Sequence, residues 1–289
     1  MKKSKYLLAL CMFIFGTIGI FRKQIDLSSS VLAMSRGFIG SIFILLFMRL
    51  KHLTISFESI RKNFIPLVLS GMFIGFNWIL LFEAYEFTTV AIATLCYYMA
   101  PVIVILGSFV LFKENISKRK LICILFAVLG MILVSGVFDS NQSGNIQLKG
   151  ILLGLGAAVL YASVILMNKT IKNINAYDKT VVQLLTAAIV LIPYILFTEN
   201  VGDIQLDNIS IIMMILVGVV HTGIAYTIYF GTMKDLEAQT IALYSYIDPC
   251  VAIFLSAFVL KEQLSLLGII GAVIVLGSTL ISEMEEKES

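Results

Sequence analysis

Charged side chains are scarce in this sequence. Asp, Glu, Lys and Arg make up only 13% of its 289 residues, whereas 59% of the residues are apolar. So few polar side chains could not cover the surface of a soluble domain of this size. The composition therefore excludes soluble enzymes and soluble binding modules, and it indicates a protein whose main solvent is lipid.

Motifs for covalent and metal chemistry are also missing. The four cysteines, Cys11, Cys96, Cys123 and Cys250, lie in apolar runs without CxxC spacing, so neither a disulfide framework nor a zinc site is expected. The sequence contains no nucleotide-binding glycine loop followed by Lys-Ser or Lys-Thr, no HExxH and no GxSxG. We therefore expect a protein that is not an enzyme and that binds no cofactor and no metal.

Long apolar runs are what the sequence does contain. They are continuous rather than alternating, which favours helices over the strands of a membrane barrel. A helix needs about 20 apolar residues to cross the roughly 30 Å hydrocarbon layer. The sequence therefore predicts an all-α integral membrane protein with ten transmembrane helices. Their predicted positions are 6–22, 29–48, 64–85, 88–112, 121–138, 150–168, 180–198, 208–233, 238–260 and 265–282.

The distribution of Lys and Arg predicts the orientation. With the N-terminus inside, sixteen of these residues fall in cytoplasmic segments and four in external ones. Short loops rich in Lys and Arg stay in the cytoplasm, so both termini are expected there, in a multi-pass protein of the cell membrane. The basic start is interpreted as part of a retained first helix, because no small-residue cleavage site follows the apolar run. The net charge of +3 follows from this asymmetry, and no nucleic-acid partner is expected.

The sequence repeats itself at an offset of 148 residues, which aligns Ser108–Ser117 with Ser256–Ser265. Further pairs lie upstream: Pro101 with Pro249, Tyr98 with Tyr246 and, at a nearly identical offset, Lys23 with Lys169. We therefore predict two homologous halves, 1–138 and 150–283. Five helices per half is an odd number, so the second half is expected to be upside down in the membrane. Such a 5+5 inverted repeat is typical of transporters.

These paired segments resemble the drug/metabolite transporter superfamily, in the form of a ten-helix protein with two EamA-type halves. Arg36 in helix two and the Gly16-Thr17 and Ala162-Ser163 positions contribute to the resemblance, which covers essentially the whole chain. The family often has Trp-Gly before such sites, where this sequence has Phe15 and Tyr161. The resemblance implies a central cavity lined mainly by helices one, three, four, six, eight and nine. It also implies export or exchange of amino acids, nucleotide-like metabolites, amines or drugs.

Two titratable side chains are predicted near the middle of the membrane. Asp248 lies about ten residues into helix nine, roughly 15 Å deep, where a lone carboxylate is expensive and usually functional. It precedes Pro249, whose missing N–H frees the carbonyl of Ser245. His221 lies about a dozen residues into helix eight and could relay protons. Both are proton-coupling candidates, although each could instead be a hydrogen-bonded core residue.

Arg36 is the one basic residue that the sequence places firmly inside the hydrocarbon, where it needs an anionic partner or water. Glu83, at a similar external depth on helix three, is the expected partner, with Glu86 as a competitor. The pair would form either a structural clamp or an external gate that breaks during transport.

Amphipathic side chains cluster near Pro101 and Pro249, two prolines that are expected to kink helices four and nine. Aromatic rings there could bind an aromatic substrate or a cation, or could simply pack. Asn77 could bind a substrate carboxylate or amine, or could hydrogen-bond between helices. The substrate-binding candidates are Asn77, Trp78, Tyr97, Tyr98, Tyr161, Tyr226, Tyr229, Tyr244 and Tyr246.

The function expected from these features is secondary transport of small metabolites such as amino acids or amines, by alternating access. Export and exchange are both open, with or without coupling to protons, and the protein could be a monomer or a homodimer. One alternative is a lipid-headgroup flippase, which a groove opening sideways to lipid would favour. Another is a non-transporting receptor subunit, which would need a large partner-binding loop or tail.

Overall fold

The computed structural model describes residues 2–134, 144–200, 202, 207–233, 236, 241 and 244–284. Within these ranges the chain is helical with short connections, and no strand is formed. The helices are α1 (Lys2–Gly16), α2 (Ile18–Arg22), α3 (Ser29–Leu50), α4 (Phe57–Lys62), α5 (Phe64–Phe87), α6 (Val90–Tyr97), α7 (Ala100–Phe112), α8 (Lys118–Val134), α9 (Gly144–Thr170), α10 (Ala176–Thr198), α11 (Asn208–Leu216), a π-helical segment (Val217–Ile224), α12 (Ala225–Met233), α13 (Ile247–Phe258) and α14 (Leu266–Met284).

Several helices begin at side chains that bond to free backbone N–H groups. Ser28 accepts a hydrogen bond from the N–H of Val31 at the start of α3, and Thr89 accepts one from Ile92 at the start of α6. Asp207 caps α11 in the same way. Such caps satisfy donors that have no partner within the helix, so they fix where each helix begins.

Seven helical stretches in the described part of the chain are long and apolar enough to cross a membrane. They are Lys3–Arg22, Ser29–Leu50, Phe64–Phe87, Val90–Phe112, Gln147–Thr170, Ala176–Thr198 and Asn208–Thr232. The other three predicted helices correspond to α8, α13 and α14, of which α8 has 17 residues and α13 has 12. Predicted residues 135–138, 238–240, 242 and 243 lie outside the described residues, so the count of ten stays a prediction.

The two halves of the chain interlock. Helix α5 packs along α9, and α3 packs along α10 and the π-helical segment, so neighbours come from opposite halves. Glycines permit the close approach: a Cβ at Gly75 would lie 3.2 Å from the carbonyl oxygen of Ala187, and one at Gly71 only 2.7 Å from that of Gln183. Small residues are the usual means by which membrane helices approach closely.

Each of the two prolines lies just after an interruption of its helix. Predicted helix 88–112 is two helices, α6 and α7, that are separated at Tyr98 and Met99. Pro101 lies in the first turn of α7, and Pro249 lies in the first turn of α13. Proline lacks an N–H and clashes with the preceding turn, but it fits well at the start of a helix, so each helix restarts there.

The sequence repeat is visible in the backbone where α7 and α13 end. Lys113 and Lys261, which the 148-residue offset pairs, both have left-handed backbones, with φ of 56° and 57°. The backbone N–H of the next residue donates to a carbonyl six residues earlier in both cases: Glu114 to Ser108 O at 3.4 Å, and Glu262 to Ser256 O at 3.0 Å. Both ends use the left-handed helix cap that satisfies the last carbonyls.

Candidate functional site

Irregular points of four membrane segments meet in the interior of the bundle. Thr17 separates α1 from α2, and Tyr98 lies at the break between α6 and α7. His221 lies within the π-helical segment, and Asp248 is in the first turn of α13. Hydrogen bonds join Thr17 to His221 and Tyr98 to Asp248, and Gly16, next to Thr17, packs against the backbone of Asp248. Broken and π-helical segments inside membranes are frequent at functional sites because they present backbone and side-chain groups that a regular helix would hide.

Asp248 and Tyr98 form the central polar contact. The Tyr98 hydroxyl is 3.0 Å from Asp248 Oδ2 and 3.1 Å from the carbonyl oxygen of Ser245. Tyr98 belongs to the first half and the other two residues to the second, so this contact joins the halves. Ser245 O is the carbonyl that Pro249 leaves without an intrahelical donor, and Tyr98 supplies the donor from across the interface.

Close packing holds Asp248 in this position. A Cβ at Gly16 would lie 2.6 Å from the carbonyl oxygen of Asp248 and 2.7 Å from Cβ of Val251, so only glycine fits there. The rings of Tyr98 and its repeat partner Tyr246 lie with centroids 6.3 Å apart. The start of α13 is therefore packed between the end of α1 and the break in helix four.

His221 is buried and bonded to the break in helix one. Its Nε2 lies 2.9 Å from the Thr17 hydroxyl, which also donates to Ile14 O at 2.7 Å. Thr17 has one hydroxyl hydrogen, so in this arrangement it accepts from His221 Nε2–H. The imidazole also contacts the edge of Phe21, with ring centroids 4.9 Å apart. The hydrogen bond links the π-helical segment to the junction of α1 and α2.

Arg36 does not form the expected ion pair with Glu83. Its Nε donates to the Thr222 hydroxyl at 2.8 Å, and its guanidinium carbon lies 4.2 Å from the centre of the Trp78 ring. Trp78 precedes Glu83 by five residues on α5, which separates them by about 7.5 Å along the helix axis. Arg36 therefore packs deeper than Glu83. The competitor Glu86 pairs with Arg22 instead, at 3.4 Å.

The aromatic candidates fall into two groups. Tyr97 contacts Tyr98 and Tyr161, with centroids 6.4 Å and 5.3 Å apart. Phe15, which sequence reasoning noted only as a departure from the family pattern, contacts Tyr226 at 5.6 Å and Tyr229 at 6.5 Å. Tyr246 belongs to the first group, and Tyr244 belongs to the second.

Asn77 lies beside Trp78 and is buried. Its side-chain amide donates to the carbonyl oxygen of Ala157 on α9 at 2.6 Å. The hydrogen bond links the two halves, as the interhelical alternative expected.

Two residues of this region had no functional assignment from the sequence. Thr222 looked like an ordinary polar residue of helix eight, yet its hydroxyl bonds Arg36. Thr17 stood out only as part of the Gly16-Thr17 position. The π-helical register places His221 and Thr222 against two different helices, and no sequence pattern indicates that register.

An apolar groove of about 500 Å³ lies between α1 and α13, on the outer surface of the bundle. Phe13 and Phe254 lie at its edge, and they are 50% and 58% exposed. The residues lining it are Phe13, Tyr246, Ile247, Cys250, Val251, Phe254 and Leu255. Tyr246 connects the groove to the Tyr98 side of the central site.

The EamA-like transporter family model matches this chain twice, over residues 3–136 and 148–284. The chain belongs to the EamA-like transporter family. The two matches together span most of the sequence, and they show the two-repeat architecture. With its apolar helices, this EamA-like chain is a multi-pass integral membrane protein of a transporter family.

Curated relatives carry the same description. An uncharacterized transporter of Bacillus subtilis, YxxF, is 32% identical over 249 residues, which cover 86% of this chain and 79% of the relative. A protein of Salmonella typhimurium named a probable amino-acid metabolite efflux pump is 24% identical over 61% of each chain. A solved structure with 15% identity superposes with a TM-score of 0.68 over 97% of this chain and 96% of its own, so it shares the fold.

Proposed function

We propose that this EamA-like protein exports or exchanges small metabolites that carry a carboxylate, such as amino acids, by alternating access with proton coupling at Asp248. The proposal includes ten spans in a 5+5 inverted repeat, with both termini in the cytoplasm of the cell. The observation that carries it is the Tyr98–Asp248 contact, because it joins the halves where two helices restart. The name of the Salmonella relative, a probable amino-acid metabolite efflux pump, supports an amino-acid-like substrate.

The contact can hold a proton on Asp248 or release it while Tyr98 and Asp248 stay hydrogen-bonded to each other. Tyr98 has one hydroxyl hydrogen and two acceptors in reach, Asp248 Oδ2 and Ser245 O. When Asp248 is ionised, the hydroxyl donates to the carboxylate. When Asp248 is protonated, its own O–H donates to the Tyr98 oxygen, and Tyr98 then donates to Ser245 O. The Tyr98–Asp248 hydrogen bond is therefore kept in both protonation states, and only the donor to Ser245 O changes between them.

Arg36 supports an anionic group on the substrate. Only 4% of the residue is exposed, and no carboxylate of a described residue lies within 4.0 Å of it. Its Nε is used by Thr222, whereas Nη1 and Nη2 make no hydrogen bond to a described residue. A planar guanidinium with free terminal donors matches a carboxylate. Trp78, over which the guanidinium stacks, and the two tyrosine groups would form the walls.

The charged contacts are consistent with a protein that spans the membrane. Arg22 and Glu86 lie at one end of the helices, with Glu199, which bonds Ser28 and Ser30. Asp178 lies at the other end and accepts from the N–H of Ser56. The long apolar stretches run between these two polar ends. The Lys and Arg distribution assigns the Asp178 end to the cytoplasm.

Currents recorded from proteoliposomes on a solid-supported membrane test the proposal. The panel contains amino acids, the matching amines without a carboxylate, and nucleosides, each with and without a pH gradient. We expect a pH-driven current with the amino acids but not with the amines. The Asp248→Asn variant should lose the dependence on the pH gradient, and Arg36→Gln should lose the preference for the carboxylate.

A matched control uses a carboxylate outside the site. Asp26 is exposed near the end of helix one, so Asp26→Asn removes the same chemical group and should leave the current as in the parent protein. Equal, pH-driven currents in the parent and in Asp248→Asn would contradict proton coupling at Asp248. A response to amines as strong as to amino acids would contradict the role of Arg36.

The apolar groove supports a second candidate, a lipid-headgroup flippase. It opens on the surface that faces lipid, and Tyr246 connects it to the central site. A headgroup could move through the centre while its chain stays in the groove. Dithionite quenching of vesicles with a headgroup-labelled fluorescent phospholipid distinguishes the two. Dithionite quenches more than half of the label only if a flippase moves lipid to the outer leaflet. The Cys250→Trp variant, which fills the groove, would slow that quenching.

A further inference from the structure

Four ion pairs occur among the described residues, and they are of two kinds. Arg22–Glu86 and Lys62–Glu58 each join residues of the first half. Lys23–Glu262, at 3.9 Å, and Lys169–Glu114, at 3.3 Å, join a residue of one half to a residue of the other. We name the latter two the Glu262 pair and the Glu114 pair.

The repeat relates the Glu262 pair to the Glu114 pair. Glu114 and Glu262 correspond at the 148-residue offset, and Lys23 and Lys169 correspond at a nearly identical one. The neighbouring serines correspond as well: Ser256 Oγ donates to Glu262 at 2.6 Å, and Lys169 Nζ donates to Ser108 Oγ at 3.0 Å. Corresponding Lys, Glu and Ser residues thus come together at both places, although the serine bonds the glutamate in one and the lysine in the other.

The two pairs lie at opposite ends of one membrane span. The N–H of Val90, at the start of the Val90–Phe112 stretch, donates to Glu262 Oε2 at 2.8 Å. At the other end of that stretch, Lys169 Nζ lies 5.6 Å from the centre of the Phe112 ring. The stretch has 23 residues. It therefore separates the pairs by about 35 Å, the thickness of a membrane.

We propose that these pairs are the two gates of the transport cycle: the Glu114 pair breaks when the site opens at its end, while the Glu262 pair holds the other end closed, and the roles then reverse. Each pair fastens the two halves together at one face only, as alternating access requires. The proposal rests on the proposed transport function. Arg36 and Glu83 do not form a gate, and the gating role passes to the Glu114 pair and the Glu262 pair.

The pairs are not equally protected. The Glu262 carboxylate is 16% exposed and has Lys23, Val90 N–H and Ser256 as partners, whereas the Glu114 carboxylate is 54% exposed. Exposed ion pairs are weakened by solvent and by the entropy of holding two long side chains. The Glu114 pair should therefore open more readily, so the resting protein favours opening at that end, which the basic residues assign to the cytoplasm.

Labelling of a central cysteine tests the gates without any substrate. The reporter is Ser245→Cys in full-length protein whose four native cysteines are replaced by serine, labelled by a membrane-impermeant maleimide in vesicles of either orientation. We expect Glu114→Gln to raise labelling from its own face and to lower it from the opposite face. Glu262→Gln should do the reverse. The ratio of the two labelling rates should change about two- to five-fold, the range for exposed ion pairs.

The within-half pairs provide matched controls on the same faces. Glu58→Gln and Glu86→Gln each remove one ion pair without releasing one half from the other, so neither should alter the ratio. The charge swap, Lys169→Glu with Glu114→Lys, should restore the parent ratio. Should Glu114→Gln or Glu262→Gln fail to fold, a disulfide between cysteines placed at 169 and 114, or at 23 and 262, should block labelling from that face alone.

Two results would overturn the gates. One is a change of the labelling ratio toward the same face in both Glu114→Gln and Glu262→Gln. The other is a change in the control variants that is as large as in these two. Neither result depends on transport, so a wrong substrate class leaves the gates standing. Conversely, a pH-driven current together with an unchanged labelling ratio would reject the gates and retain the proposed function.

Discussion

Replacement of Gly16 by alanine should loosen the joint between α1 and α13. The added Cβ would lie 2.6 Å from the carbonyl oxygen of Asp248 and 2.7 Å from Cβ of Val251, where ordinary contacts begin at 3.4 Å. Backbone and Cβ atoms cannot turn aside as a flexible side chain could, so the helices must separate by roughly 1 Å. Overpacking of this kind costs about 1–3 kcal/mol, and the better helix propensity of alanine offsets up to about 1 kcal/mol.

With a net cost of about 1–2 kcal/mol and about 2–4 °C per kcal/mol, the expected result is a loss of thermal stability of about 2–8 °C in detergent. A thiol-reactive fluorogenic dye measures it, because Cys11, Cys96 and Cys123 are buried and become reactive only on unfolding. Gly277→Ala is the control, since a Cβ there meets nothing within 4 Å. It should be neutral or slightly stabilising. A Gly16→Ala protein as stable as Gly277→Ala would refute the argument that Gly16 fixes this joint.

Two further predictions concern stability. Asn77→Leu removes the 2.6 Å hydrogen bond to Ala157 O between the halves, so we expect a loss of about 1 kcal/mol in the same thermal assay; an unchanged melting temperature would contradict it. Asp207 accepts hydrogen bonds from Ser210 and from the backbone N–H groups of Ser210 and Ile209, which hold the pKa of its carboxyl below its usual value. A lowered folded-state pKa stabilises the fold above about pH 4 and stops doing so as the pH falls through the folded value. Asp207→Ala should therefore lower the melting temperature more at pH 7 than at acid pH, where protonation removes part of the stabilisation, and an equal effect at both would reject the cap.

The amino-acid sequence predicted the parts of this fold that depend on long patterns. Apolar runs predicted the helical stretches, and the 148-residue offset predicted the two-repeat architecture. The offset pairs Lys113 with Lys261, although it did not predict the left-handed backbone that they share. These predictions succeeded because each rests on chain geometry that is local or is repeated along the sequence.

The partners of buried charges could not be predicted in the same way. Glu83 was the expected partner of Arg36 because the two residues have a similar predicted depth. The partner also depends on the rotation of each helix about its axis, and the π-helical segment turns Thr222 toward Arg36. Likewise, the sequence places Glu114 and Glu262 after apolar runs but does not reveal that Lys169 and Lys23 lie across the interface from them. Contacts between halves depend on the packing of the folded chain.

The breaks in helices four and nine also affect how a polar solute could enter the bundle. A helix end leaves up to four N–H or carbonyl groups without partners, and α6 ends, α7 begins and α13 begins within the same region. Hydrocarbon cannot satisfy such groups, so they require side chains, such as that of Tyr98, or water. The helix interruptions thus place backbone polar groups and the Tyr98 hydroxyl in one part of the bundle interior. A polar solute that reached this region would meet hydrogen-bonding groups there in place of hydrocarbon.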